Sequence, residues 1–505
     1  MDKRKSALNV YSSLASRIIL LIAALYVRRL LIRFIGSDVN GLNYLYTSII
    51  GMLSVAELGV GSAIVFSMYV PIVAGDTRKV SALYCLYGRL YRIIGCVIFA
   101  GGLVTMCFLP KLIGDYESLS VNVYSTFLLT LISVVVSYLY SAKTSLIEAH
   151  KDNYITTSIL TFSRLIRYGL QIAAILIWRS YTIYLFCQIL DTLIVWMLTE
   201  AAVRRRFSDI ISMKESADSQ TLSEVSRNVR AMFLHRIGTI MVSTMDSLII
   251  SGFIGVVILG KYSNYMLIAG VVSGTIALFF TPLTSVVGHL CAENDPDKTK
   301  RYFDRFYCLN YVLGVVFFLG YYAVIDHVIR ICFGPGLEVT SAVSFIITLN
   351  QFISYMRNSS LLFRNASGTF YNDRWKPIAE GIANLILSLI FVNIFPEPYR
   401  VVGVIVATII TNLTICYVVE PFVVFRNVFD RSPKPFYLRS YMYVLIFATL
   451  LVVMDHLKRS CESDIQGLLA NGFISVLLSI MTFAVLAAAD RGFRKEILSW
   501  LKADE

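Results

Sequence analysis

Several arginines lie inside long apolar stretches of the chain, where a charge needs a physical reason. Arg17 and Arg28 are eleven residues apart in the first stretch, which is three helical turns and places them on one face. Arg164 and Arg167 are spaced i, i+3 in the fifth stretch. A charge at the centre of a membrane helix costs about 2.5 to 3.5 kcal/mol on insertion scales. Because guanidinium groups match phosphate geometry, the pattern predicts a path for an oxyanion.

Two further arginines are candidates for the same role. Arg236 lies in the seventh stretch, with a run of hydroxyl side chains on its face. Arg357 lies at the end of the tenth stretch, on one face with Asn350 and Ser354. A polar clamp between helices is the competing interpretation for the tenth stretch, and snorkelling is the competing one for Arg17.

Acids are fewer in these stretches. Glu57 follows in the second stretch and is either a counter-ion to Arg17 or a proton-coupling carboxylate. Asp246 in the seventh stretch is either one half of an intramembrane ion pair or a coupling residue. The excess of embedded cations over acids favours an anionic substrate over a cationic drug.

The elements that position these side chains are transmembrane helices. Of the 505 residues, 57% are hydrophobic and 15% charged, and the mean hydropathy is +0.69. These values exclude a soluble enzyme, and the blocks are too long and too uniformly apolar for a β-barrel. We predict an all-α polytopic membrane protein with about fourteen spans, at 12–34, 41–70, 93–110, 122–141, 154–178, 182–203, 231–252, 262–290, 306–329, 340–360, 378–395, 402–425, 440–456 and 467–489.

The basic residues are unevenly distributed among the joints between spans. With both termini cytoplasmic, 30 Lys and Arg residues fall in inner segments and seven in outer ones. This bias predicts two cytoplasmic termini, and it explains the net charge of +12 without nucleic-acid binding. The nine cysteines show no CxxC spacing, and we expect neither a metal nor another cofactor. No joint is long enough for a soluble catalytic domain.

An internal repeat relates the two halves of the chain. A shift of 219 residues aligns 9–54 with 228–273 at twelve identities in 46 positions. The identities include Arg17 with Arg236 and Gly41 with Gly260. Six spans per repeat give both halves the same orientation, as in transporters with parallel repeats.

The repeat and the joints together predict the domain boundaries. We expect an N-terminal lobe at 1–203, a cytoplasmic linker at 204–230, a second six-helix lobe at 231–425, and two additional helices with a tail at 426–505.

The opening segment NVYSSLASRIILLIAALYVRRLLIRFIG, followed by NGLNYLYTSIIGMLSVAELGVGSAIV, resembles bacterial polysaccharide flippases of the multidrug/oligosaccharidyl-lipid/polysaccharide exporter superfamily. Arg17 matches the arginine of the family's first helix, and Gly41, Gly51 and the segment 58–64 match its glycine-punctuated second helix. The other candidate arginines come from this sequence and not from a family motif.

The resemblance implies two six-helix lobes in a V, which alternate between inward-open and outward-open states. It implies transport of an oligosaccharide on undecaprenyl diphosphate across the bacterial cytoplasmic membrane, for surface polysaccharide assembly. The expected partners are that lipid-linked sugar, the bilayer, and the polymerase and glycosyltransferases of the same pathway. Coupling to H⁺ or Na⁺ is open, and no enzymatic activity is expected.

Three alternatives remain at this point. A peptidoglycan-precursor flippase has the same arrangement of spans. A cation-coupled drug exporter would carry acids where this chain has Arg17 and Arg236. An integral-membrane glycan polymerase would need a large outer loop with polar catalytic residues, and the outer joints here are short.

Overall fold

The computed structural model describes residues 3–54, 60–114, 116–213, 215–216, 218, 244–280, 283–293, 295–369, 373–459, 463–489 and 492–494. Within these ranges the regular structure is helical, and no residue is in a strand. Residue contacts divide the chain into two compact units, which we call unit 1 (Met1–Gly260) and unit 2 (Lys261–Glu505). Residues 214, 217 and 219–230 of the predicted linker 204–230 lie outside the described residues.

Unit 1 contains eight numbered helices and the start of a ninth. They are α1 (Lys3–Phe34), α2 (Ser37–Leu53), α3 (Val60–Ala74), α4 (Thr77–Met106), α5 (Val123–Ala149), α6 (Asn153–Ala173, continued by a π turn at Ala174–Trp178), α7 (Tyr181–Arg206), α8 (244–253) and α9 (Val256–Phe280). Short helical turns also occur at Leu109–Leu112 and Ser208–Met213. Helix α5 packs against α4 and α7, and α6 packs against α1 and α7.

The described residues of unit 2 form the remainder of α9 and nine further numbered helices. They are α10 (Leu283–Ala292), α11 (Pro296–Phe333), α12 (Ser341–Met356), α13 (Asn358–Ala366), α14 (Lys376–Ile394), α15 (Arg400–Thr411, continued by a π turn at Asn412–Cys416), α16 (Tyr417–Asn427), α17 (Lys434–Leu457) and α18 (Asp464–Ala489). Helix α11 packs along α18 and α12, and α14 packs along α15.

The predicted spans coincide with helices wherever the structure describes them, which confirms the all-α polytopic fold class. Ten helices of the described residues are long and apolar enough to cross a membrane. Some helices are longer than the apolar blocks that predicted them. Helix α4 begins at Thr77, whereas the span was predicted from residue 93. Its first turns are polar but amphipathic, and the Asp76 side chain caps them by accepting from the Lys79 N–H at 2.9 Å. The lobes in a V remain a prediction.

The two copies of the repeat share backbone geometry. Gly36 precedes α2 with φ 146°, and its repeat partner Gly255 precedes α9 with φ 121°. L-residues rarely adopt this region, so the same turn requires glycine in both copies. Gly41 and Gly260 also pack against each other: a Cβ at Gly260 would lie 2.6 Å from the Ser37 carbonyl oxygen. The identical glycines therefore have identifiable structural causes.

Candidate functional site

Helices α1 and α6 of unit 1 run side by side in the same direction. The Thr161 hydroxyl donates to the Ser16 hydroxyl at 2.8 Å. Eighteen residues further along both helices, the Arg179 guanidinium lies 5.9 Å from the centre of the Phe34 ring. Because both pairs are 145 residues apart, the helices are parallel and in register. Residue n of α1 is level with residue n+145.

This register brings together three of the predicted arginines, which we call the arginine cluster: Arg17, Arg164 and Arg167. Arg17 follows Ser16, and Arg164 lies one turn beyond Thr161. At 1.5 Å per residue, Arg164 is about 3 Å further along the helix pair than Arg17, and Arg167 roughly 4.5 Å beyond it. The side chains of Arg17 and Arg164 are exposed. Two guanidinium groups are thus accessible on adjacent turns of packed helices.

Arg167 differs because it has an acidic partner that sequence reasoning missed. Its Nη1 lies 3.1 Å from Oδ2 of Asp191 in α7, and the Ser163 hydroxyl donates to Asp191 Oδ1 at 2.5 Å. The side chain of Asp191 is 11% exposed and that of Arg167 is 21% exposed. The available signal was an acid near the centre of the apolar stretch 182–203, since an embedded carboxylate needs a partner.

Arg28 lies further along α1, away from the arginine cluster. The 11 residues from Arg17 correspond to roughly 16 Å along the helix. The residue is half-buried, with Tyr44 and Tyr184 as electrostatic neighbours of its guanidinium. The two arginines of α1 therefore differ in their surroundings, since Arg17 is exposed and Arg28 lies near two tyrosines.

Of the two predicted acids, Asp246 lies within the described residues and Glu57 does not. Asp246 in α8 is buried, with 7% of its surface exposed, and it neighbours Tyr44, which interacts with Ser247. Glu57 and Arg236 lie outside the described residues. Asp246 and Arg28 thus share Tyr44 as a neighbour, which the sequence did not indicate.

Arg357 in unit 2 is fully engaged by protein groups. Its Nη2 and Nε lie 2.6 and 3.1 Å from the two carboxylate oxygens of Glu420, and Nη1 lies 2.6 Å from the Asn412 Oδ1. Lys376 Nζ contacts Glu420 at 2.5 Å and Glu380 at 3.1 Å. We call Arg357, Lys376, Glu380 and Glu420 the ion-pair cluster. It balances two positive and two negative charges, so its electrostatic role in this conformation is internal.

Irregular backbone surrounds the ion-pair cluster. Arg357 occupies the break between α12 and α13, and Asn412 begins the π turn after α15. Pro421, beside Glu420, interrupts the hydrogen bonding of α16. A narrow pocket lies against Arg357 and Glu420, and Tyr307 and Ser440 also line it.

Within the described part of the chain, no group of three His, Cys, Asp or Glu residues could hold a metal ion. Among the described residues, the three guanidinium groups of the arginine cluster have one carboxylate contact, between Arg167 and Asp191. That imbalance suits a multiply charged oxyanion.

Comparisons with solved structures identify the fold. A structure of the lipid II flippase MurJ in an inward closed conformation matches with a TM-score of 0.64 and 15% identity, over 95% of this chain and 99% of that one. An inward-facing multidrug resistance MATE family transporter of the MOP superfamily matches with a TM-score of 0.56 and 12% identity, over 85% and 96%. A variant of the Vibrio cholerae MATE transporter VcmN matches with a TM-score of 0.52 and 13% identity, over 85% and 99%.

No protein-family model matches the chain, and no curated protein sequence matches it. At identities of 12 to 15%, the structural matches show the fold: that of MurJ and the MATE transporters. The neighbours are a flippase and transporters and not enzymes. Ten long apolar helices among the described residues show a multi-pass membrane protein.

Proposed function

We propose that this protein is a flippase that moves an undecaprenyl-diphosphate-linked oligosaccharide across the bacterial cytoplasmic membrane by alternating access, for cell-surface polysaccharide assembly. The arginine cluster carries this proposal. Arg17 and Arg164 are exposed on adjacent turns of two packed, parallel helices, with Arg167 one turn beyond. The fold shared with MurJ and the MATE transporters supports a transport function.

The charge balance of the cluster selects the class of substrate. Three guanidinium groups with one carboxylate attract a diphosphate and repel a cationic drug, and forked donors bind phosphate oxygens in pairs. A MATE-type drug exporter is therefore the less favoured candidate. A peptidoglycan-precursor flippase is the second candidate, because a neighbour with a TM-score of 0.64 is named a lipid II flippase.

The remaining candidate residues take subsidiary places in the proposal. Arg28 and Arg236 would contact the substrate beyond the arginine cluster, and Glu57 and Asp246 would act as counter-ions or in coupling to H⁺ or Na⁺. Arg357 would reach substrate only in a conformation that releases it from Glu420. The charge bias of the joints supports cytoplasmic termini. The proposal includes no cofactor. It takes the polymerase and glycosyltransferases of the same pathway as partners.

Complementation of a bacterium depleted of its own polysaccharide flippase tests the proposal. Wild type, Arg17→Ala and Arg164→Ala are compared at matched membrane expression, with Arg92→Ala as the control because Arg92 is an exposed arginine of α4 outside the cluster. We expect wild type and the control to restore surface glycan and both cluster variants to fail. Full rescue by Arg17→Ala and Arg164→Ala would contradict the proposed role of the cluster. Rescue of a strain depleted of its peptidoglycan-precursor flippase, and not of the polysaccharide strain, would favour the second candidate.

A further inference from the structure

Asp191 is the only acid that the structure pairs with the arginine cluster in the described part of unit 1, and the proposed function gives it no role. It lies on α7, and its residue is 8% exposed. One carboxylate oxygen faces Arg167 and the other faces Ser163. A carboxylate buried in this way is stabilised only as long as both partners remain.

Asp191 contacts only one nitrogen of the Arg167 guanidinium. Only Nη1 of Arg167 contacts the carboxylate, at 3.1 Å, and the buried Nε of Arg167 has no hydrogen-bond partner among the described residues. Arg357, by contrast, meets both oxygens of Glu420. A buried donor without a partner costs free energy, so the contact with Asp191 does not satisfy every donor of Arg167. The pair is therefore weaker than the two-point contact between Arg357 and Glu420.

Ser163 offers Asp191 two hydrogen-bonding arrangements. Its hydroxyl oxygen lies 2.5 Å from Asp191 Oδ1 and 3.0 Å from the backbone carbonyl oxygen of Asp191. With Asp191 ionised, the hydroxyl donates to the carboxylate. With Asp191 protonated, the hydroxyl can turn to the carbonyl and accept the carboxyl proton. The site can therefore satisfy both protonation states without moving its backbone.

The charges around Asp191 come from two neighbouring helices. Helix α6 supplies Arg167, and it also carries Arg164, which shares the electrostatic environment of Tyr140. Helix α5 supplies Tyr140, an electrostatic neighbour of Asp191. Because Arg167 and Asp191 form a neutral pair, Arg164 adds one positive charge to the surroundings of Tyr140 before any substrate arrives.

We propose that Asp191 is a displaceable counter-ion that couples oxyanion binding to uptake of one proton. The inference rests on the proposed function, because it takes a diphosphate as the ligand. The diphosphate oxygens accept hydrogen bonds from Arg167 and replace the contact with Asp191. The freed carboxylate then takes one proton from water and becomes a neutral carboxyl hydrogen-bonded to Ser163. Release of the diphosphate returns the proton and restores the pair, so Asp191 is a positioning residue for Arg167.

Calorimetry of the purified, full-length protein in detergent tests this inference with farnesyl diphosphate as the probe. Titrations in two buffers with different ionisation enthalpies give the number of protons taken up per diphosphate bound. We compare wild type with Asp191→Asn, which keeps the size of the side chain and cannot ionise. The control is Glu200→Gln, since Glu200 lies on the same helix and is paired with Lys143 and Arg204.

We expect wild type and Glu200→Gln to bind more protons per diphosphate than Asp191→Asn does, by at most one proton. We also expect Asp191→Asn to bind the probe about tenfold more tightly, because the competitor for Arg167 is gone. If wild type binds and Asp191→Asn shows the same proton uptake and no gain in affinity, the inference is overturned while the proposed function stands. If neither protein binds the probe, the proposed function and the inference fall together.

Infrared difference spectroscopy of the wild type gives a second measurement that needs no variant. Addition of farnesyl diphosphate should produce the carbonyl band of a newly protonated carboxyl group. Absence of that band at saturating probe would overturn the inference even if Asp191→Asn fails to fold.

Discussion

The arginine cluster of unit 1 and the ion-pair cluster of unit 2 use the same residue type for different ends. In unit 2, Arg357 makes three close contacts with Glu420 and Asn412, and each acid of its cluster is shared with Lys376. In unit 1, Arg17 and Arg164 are exposed and Arg167 has a single contact with Asp191.

The difference teaches that the number of acids within reach decides what an embedded arginine does. Two cations facing two anions neutralise each other, and removal of one partner leaves a buried charge. Three cations with a single ion pair among them retain an attraction for an external oxyanion. The first arrangement ties helices together, and the second is suited to a ligand.

The largest expected effect breaks the ion-pair cluster. Glu420→Gln leaves Arg357 and Lys376 buried with Glu380 alone, which should lower the free energy of unfolding by about 3 to 5 kcal/mol. Thermal unfolding in detergent measures the loss. Glu397→Gln is the control, because its contact with Arg400 spans 3.8 Å and Glu397 is 85% exposed. Equal stability of the two variants would contradict an internal role for the cluster.

A glycine substitution separates packing from charge as the source of stability in unit 1. Gly41→Ala would place a Cβ onto the backbone carbonyl oxygen of Val256, so we expect a loss of about 1 to 3 kcal/mol. Gly95→Ala is the matched control, since its Cβ would meet Tyr138 at 3.6 Å, an ordinary contact. The same unfolding assay compares them. Tolerance of Gly41→Ala would show that α2 and α9 can move apart at this point.

Removal of Arg167, the cationic partner of Asp191, should have a smaller effect on the free energy of unfolding, and this effect should depend on pH. Arg167→Gln leaves a carboxylate that Ser163 alone supports, and we expect a loss of about 1 to 2 kcal/mol near pH 8. The loss should shrink as the pH falls, because the folded protein can then protonate the unpaired carboxyl group. Unfolding measured across the pH range against wild type checks the sign. A loss that grows toward low pH would disagree with the pairing seen here.

The smallest effect on stability is expected at the exposed arginines. Arg17→Gln and Arg164→Gln should change the free energy of unfolding by less than about 0.5 kcal/mol, because no buried partner is abandoned. Each should nevertheless weaken farnesyl diphosphate binding by roughly tenfold, the value of one charge-assisted hydrogen bond. Destabilisation comparable to that of Glu420→Gln would remove the contrast between the two clusters.

The sequence by itself determined the helices and much of their order. Apolar blocks of about twenty residues must satisfy their own backbone in a bilayer, so α5, α7 and α17 lie where the hydropathy places them. The sequence also identified the glycines shared by the two repeats. Gly36 and Gly255 are glycine in both copies because they occupy a backbone region that other residues avoid. These features depend on neighbours along the chain or on one residue's own dihedral angles.

Only the tertiary structure decided which arginines are free to bind a ligand. Arg164 and Arg357 look alike in sequence, as cations near polar neighbours in apolar blocks. Glu420 is 63 residues from Arg357, and Asp191 is 24 residues from Arg167, so neither pairing is encoded by helical spacing. Ion pairing acts over a few ångströms in space, and the packing of α6 on α7 and of α16 beside Arg357 sets those distances.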